Sequence, residues 1–154
     1  MEGTPGFGLR GLLVLSFRLV LGAMFLYAGI VKIADPAAFA QAVANYRILP
    51  LALVNAAAVI LPWVEVLAGA SLVLGLFLPG GSLLTAGLLL IFAVALGFDL
   101  WRGIDISCGC FGTSEATVTW LYVVRDAALC CMACFVWVFS GRSPFAMDNG
   151  PGGK

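Results

Sequence analysis

The sequence predicts an all-α integral membrane protein: a four-helix bundle with a short amphipathic interfacial helix between helices 1 and 2. Composition is the first reason. Of 154 residues, 62% are hydrophobic and 10% charged, whereas a soluble domain is about 45–50% apolar and about 25% charged. Mean hydropathy is +1.09. The second reason is that the apolar residues gather into four runs of bilayer-spanning length, about 20 residues or more each. The third is that turn and interface signals occupy the gaps between those runs.

The first run covers residues 9–31 and ends at Lys32, which is expected to snorkel to the interface. Arg10 resembles the charged start of a signal peptide, but Arg18 interrupts the apolar stretch and the run continues to Val31. A retained membrane helix is the expectation. Asp35 to Pro50 begins Asp-Pro and carries Phe39, Val43 and Tyr46 at spacings of four and three. That pattern predicts a short amphipathic helix lying on the membrane surface. The second run covers residues 51–78; its length calls for tilt and Pro62 for a kink. Pro79-Gly80-Gly81 reads as the turn before the third run, residues 82–101. Arg102 to Thr117 is a polar loop, and the fourth run covers residues 118–140. Together residues 9–140 form one domain, followed by a Gly- and Pro-rich flexible tail over 141–154.

Four spans put both termini on one side and the amphipathic segment and polar loop on the other. Charge does not orient the bundle. Arg10, Arg142 and Lys154 fall on the terminal side, and Lys32, Arg47 and Arg102 on the loop side. Net charge is zero, which gives no reason to expect nucleic acid as a partner.

Charges inside a span are costly and are usually paired or functional. Counted from the loop-side ends of their helices, Arg18 and Glu65 both sit roughly 21 Å deep. An Arg18–Glu65 ion pair is therefore expected, either fixing the fold or carrying a proton in a quinone-linked role. Arg125 and Asp126 lie about two turns into the fourth run, and Asp99 is placed to partner Arg125. Near a thiol, Arg102 and Arg125 would favour the thiolate; a plain interhelical salt bridge is the alternative use of Arg125.

The chain contains no histidine, which removes the commonest metal ligand and neutral-pH base. It contains five cysteines: Cys108, Cys110, Cys130, Cys131 and Cys134. Cys108 and Cys110 flank Gly109 in the polar loop. Closing an i, i+2 disulfide needs a turned backbone, which glycine permits, and the strained ring would be labile and oxidising. A dithiol relay, soft-metal capture and pairing with the deeper cysteines all remain open for this pair. Cys130, Cys131 and Cys134 form a second thiol cluster inside the fourth run, readable as helix packing or as an internal dithiol.

Taken in order, Arg18, Gly22, Phe25, Ala28-Gly29, Lys32 and Asp35-Pro36 are followed by Leu49-Pro50, Pro62-Trp63-Val64-Glu65 and Gly69. Arg102-Gly103, Cys108-Gly109-Cys110-Phe111-Gly112, Trp120 and Arg125-Asp126 complete the pattern. This run resembles the MauE family of methylamine-utilisation membrane proteins, within the wider DoxX-like group of small four-helix proteins. The resemblance implies a helper role in maturing disulfide-containing proteins outside the cytoplasm, beside a thioredoxin-like partner. It also implies a bacterial inner-membrane location with the cysteine loop extracytoplasmic and the termini cytoplasmic. Quinone-linked disulfide-generating bundles are loosely similar, but they carry a CxxC near the outer surface where this chain has Cys-Gly-Cys.

Three functions follow as expectations. In the first, Cys108 and Cys110 are catalytic and exchange disulfides with a periplasmic thioredoxin-like protein. Arg102, Arg125, Asp126, Arg18 and Glu65 then support them, and a quinone is the one cofactor the arrangement admits. The second is a thiolate carrier for Hg(II) or Cu(I), in which Met132 adds a thioether. The third is a membrane scaffold that does not use its thiols.

Overall fold

The structure, a computed structural model, describes residues 9–102 and 120–139. Cys108, Cys110 and the C-terminal segment beyond Phe139 lie outside the described residues. Five helices follow in order: α1 Leu9–Ala34, α2 Pro36–Asn45, α3 Leu51–Leu74, α4 Leu78–Trp101 and α5 Trp120–Phe139. Among the described residues there is no strand. Four of the helices are long and apolar enough to cross a membrane. The protein is a multi-pass membrane bundle with a short helix between its first two spans.

Asp35 separates α1 from α2. Its carboxylate accepts a hydrogen bond from the Ala38 N–H at 2.9 Å and caps α2, and Pro36 fills the first helical position. Both choices suit a helix start, where N–H groups lack intrahelical acceptors. The α1 helix runs three residues beyond the expected end, so Lys32 lies within it.

The junction of α3 and α4 also differs from expectation. The turn falls at Gly75 to Phe77, before Pro79-Gly80-Gly81. Gly75 adopts φ 75°, the left-handed end-cap that glycine takes without steric penalty, and its N–H donates to the Ser71 carbonyl. The Ser71 hydroxyl donates to the Leu76 carbonyl across the same turn. Pro79 then occupies the first turn of α4, where its missing N–H costs nothing. Hydropathy runs unbroken across Leu76, Phe77 and Leu78 and so hides this turn from a window-based reading.

The α1 helix packs chiefly on α3, and α4 on α5; α3–α4 and α1–α5 contacts close the bundle. Leu21, Leu72, Leu78, Ala133 and Val136 form the centre of the core. Gly22 and Gly69 set the α1–α3 crossing. A Cβ on Gly69 would meet the Gly22 carbonyl oxygen at 2.8 Å, and one on Gly22 would meet the Gly69 oxygen at 2.9 Å. Backbones approach this closely in lipid through small residues, because apolar burial supplies no drive between helices there. Hydroxyls within α4 are satisfied locally. Ser82 donates to the Leu78 carbonyl at 2.6 Å and Thr85 to the Gly81 carbonyl at 2.8 Å, as a medium without water requires.

This crossing imposes a stagger. Gly22 faces Gly69 and Val73, and Gly29 faces Pro62 and Val66. By that register the start of α3 projects past the end of α1 by about 9–15 Å. The α2 helix packs on α3, burying Phe39 and Ala42.

Candidate functional site

The stagger decides which charges meet. Glu65 is level with residues 26–30 of α1, whereas Arg18 lies eight or more residues away, about 12 Å or more along the axis. The expected Arg18–Glu65 pair is therefore replaced by another. Lys32 Nζ donates to Glu65 Oε1 at 2.6 Å, with both side chains almost fully buried. Helical side chains lean toward their own N-terminus. Lys32 thus reaches back into the bundle while Glu65, on the antiparallel α3, leans out to meet it. Lys32 does not snorkel to the interface; α2 covers the route. Its ammonium lies 4.9 Å from the Phe39 ring centre and 5.0 Å from that of Phe92, a favourable placement for a cation over aromatic faces. Arg18 is buried at a separate level, where Nη2 donates to the Val73 carbonyl at 3.4 Å.

The α5 charges approach the same region from the other side. Arg125 Nε and Nη2 both donate to Asp126 Oδ1, at 3.0 and 2.8 Å, and the guanidinium lies over the Tyr122 ring. The salt bridge of Arg125 is thus with its chain neighbour and not with Asp99. Cys130 on α5 sits against Ala86 of α4, a register that puts Asp99 at the end of the bundle from which the 103–119 segment departs. Asp99 is buried, and among the described residues neither of its carboxylate oxygens has a hydrogen-bond partner. Arg102 follows α4 as its C-terminal cap and lies over Phe98.

Two cavities adjoin the Lys32–Glu65 pair. The smaller, about 40 Å³, is lined by Lys32, Glu65, Arg125 and Asp126 with Met24, Phe25 and Leu89 among its apolar walls. It is large enough for ordered water. Glu65 Oε2 is buried and has no hydrogen-bond partner among the described residues. The larger, about 230 Å³, lies between α2, α3 and α4. Lys32 and Phe92 are common to both linings.

The second thiol cluster is spread over one face of α5. Cys130 is half-buried with its Sγ 3.6 Å from the Ala86 carbonyl, while Cys131 and Cys134 are exposed on the outer surface. All three are free thiols. The structure thus brings Glu65, Arg125 and Asp126 to one site and leaves Arg18 apart. The residue missed by sequence reasoning is Lys32. Its signal was the direction in which helical side chains lean, together with the capped helix that follows it.

Residues 10–139 match the family model described as "Methylamine utilisation protein MauE". The chain is 32% identical over 129 residues to the methylamine utilization protein MauE of Paracoccus denitrificans, covering 82% of this chain and 69% of that protein. It is 33% identical to the MauE proteins of Methylorubrum extorquens and Methylophilus methylotrophus, covering 80% and 79% of this chain. Those matches span 66% and 64% of the relatives' own lengths, so the chain spans about two thirds of the curated proteins it resembles. No solved structure matches it. The match over residues 10–139, together with these relatives, places this chain in the MauE family of methylamine utilisation proteins.

Proposed function

We propose that the protein supports maturation of disulfide-containing extracytoplasmic proteins by thiol–disulfide exchange at Cys108 and Cys110. The observation that carries the reading is the placement of two thiols one residue apart in the segment joining α4 to α5. That segment leaves and rejoins the bundle at the end that carries Asp99 and Arg102. Arg102 immediately precedes the segment and Arg125 lies on the first turns of α5; a nearby guanidinium favours the thiolate, the attacking form. In the exchange, a thiolate of a thioredoxin-like partner attacks one sulfur of the Cys108–Cys110 disulfide. A mixed disulfide forms and the second cysteine leaves as a thiolate. The partner's other thiol then attacks the mixed disulfide. The partner is oxidised by two electrons, and the Cys108/Cys110 pair holds them as two thiols. In this reading the loop faces the oxidising side of a bacterial inner membrane and both termini face the cytoplasm.

Thiol trapping in intact cells tests it. A membrane-impermeant maleimide is expected to label Cys108 and Cys110 only after prior reduction. A Cys110→Ser variant, which cannot hold the disulfide, is expected to leave the partner's thiols reduced in trapping experiments. Free labelling without reduction, or a Cys108→Ser/Cys110→Ser double variant that supports client maturation fully, would overturn the proposal.

A further inference from the structure

The larger cavity has features of a ligand site that the cysteine chemistry does not explain. Its walls are apolar and partly aromatic, contributed by Phe39, Tyr46, Leu61 and Phe92, and Lys32 is the charged residue of the lining, with its ammonium 4.9 and 5.0 Å from the Phe39 and Phe92 ring centres. It is partly open, and the wall residues Ile48 and Ile91 are exposed on the outer, lipid-facing surface of the bundle. We infer that this cavity binds the ring of a quinone-class lipid, with Lys32 Nζ donating a hydrogen bond to a ring carbonyl.

Size, shape and charge each restrict the occupant. A cavity of about 150 Å³ lined by aliphatic and aromatic side chains binds benzene, so about 230 Å³ accommodates one substituted ring and not a folded acyl chain. Flat faces at Phe39 and Phe92 suit a flat head. The cavity is partly open, and exposed wall residues such as Ile48 and Ile91 are apolar, as an apolar tail leaving it requires.

Electroneutrality selects the head. Lys32 is already neutralised by Glu65 at 2.6 Å, and Arg125 by Asp126 at 2.8 Å. A carboxylate or phosphate head would add an uncompensated negative charge to a buried, low-dielectric site. A neutral acceptor adds none. Lys32 has three N–H donors and gives one to Glu65, so it can donate to a carbonyl without leaving its ion pair. Glu65 and Asp126 both line the adjoining small cavity. The inference concerns binding and stands independently of the state of Cys108 and Cys110.

The test is equilibrium binding to the full chain in lipid nanodiscs, using a benzoquinone with a ten-carbon tail. The comparators are the same ring and tail without oxygens, and a tail-matched fatty acid. Saturable quinone binding is expected, about tenfold or more tighter than the oxygen-free analogue, the ratio expected for one hydrogen bond from a charged donor. Lys32→Met should remove that preference. Because Lys32→Met also strips Glu65 of its partner, Ala95→Phe serves as the second variant. It fills the cavity, leaves the ion pair in place and should abolish saturable binding at unchanged thermal stability. Equal affinity for quinone and hydrocarbon, fatty-acid binding as tight as quinone, or unaltered binding to a stably folded Ala95→Phe variant would each overturn the inference.

Discussion

The two ends of the bundle are built on opposite principles. Toward the termini, Gly22 and Gly69 bring α1 and α3 into backbone contact, and Leu21, Leu72, Leu78 and Val136 fill the centre almost without exposure. Arg18 is the buried charge there, held at the Val73 carbonyl. Toward the 103–119 segment the same helices enclose Lys32, Glu65, Asp99 and Asp126, two cavities, and carboxylate oxygens without partners among the described residues. Buried polar groups without partners are destabilising. Among the described residues, the buried carboxylates thus gather toward the 103–119 segment, while close backbone packing marks the terminal end.

Breaking the charged end should cost most. Glu65→Ala leaves the Lys32 ammonium buried and unpaired, and should lower stability by about 3–5 kcal/mol, read as thermal unfolding in detergent. Replacing both partners, as Lys32→Met/Glu65→Met, should restore most of that loss, since a well-packed apolar pair is often as stable as a buried ion pair. The double variant sharpens the comparison. A folded bundle that keeps Cys108 and Cys110 correctly oxidised in cells would assign the pair to structure alone. A folded bundle that fails to do so, the expected result, assigns it to function.

At the terminal end the expected pattern is reversed. Gly69→Ala drives a methyl group against the Gly22 carbonyl and the Leu26 N–H, forcing α1 from α3. Overpacking of this kind should cost about 1–3 kcal/mol, while thiol oxidation per folded molecule stays unchanged. The smallest effect should come from Asp126→Asn. The Arg125 side chain is 31% exposed, and partly exposed pairs contribute about 0–1 kcal/mol. A loss near that of Glu65→Ala would show that Asp126 is coupled to the Lys32–Glu65 pair through the small cavity.

Much of this was legible in the residues, and each exception has its own physical cause. The four spans, the short helix after Asp35 and the intramembrane position of Glu65 all follow from hydropathy, capping chemistry and length. Depth counted from helix ends did not identify the partner of Glu65. That count assumes that the loop-side ends of α1 and α3 are level, and they are staggered. Lys32 read as a snorkelling residue because it closes an apolar run; α2, folded onto α3, encloses it. The α3–α4 turn was misplaced because Gly75 alone ends the helix while the apolar residues continue. Cys130, Cys131 and Cys134 share one face of α5, as their spacing implies, and the tertiary structure adds that Cys130 faces Ala86 while Cys131 and Cys134 are exposed.

By itself the sequence determined what local rules govern: a hydrophobic chain in four spans, a capped helix between the first two, and two thiols in a polar segment. Each depends on residues near one another along the chain. Tertiary structure alone decided that Lys32, and not Arg18, pairs with Glu65, and that the pair lies between two cavities. That outcome depends on the axial register of α1 against α3. The register is set by the Gly22–Gly69 crossing, where two backbones from distant parts of the chain come into contact.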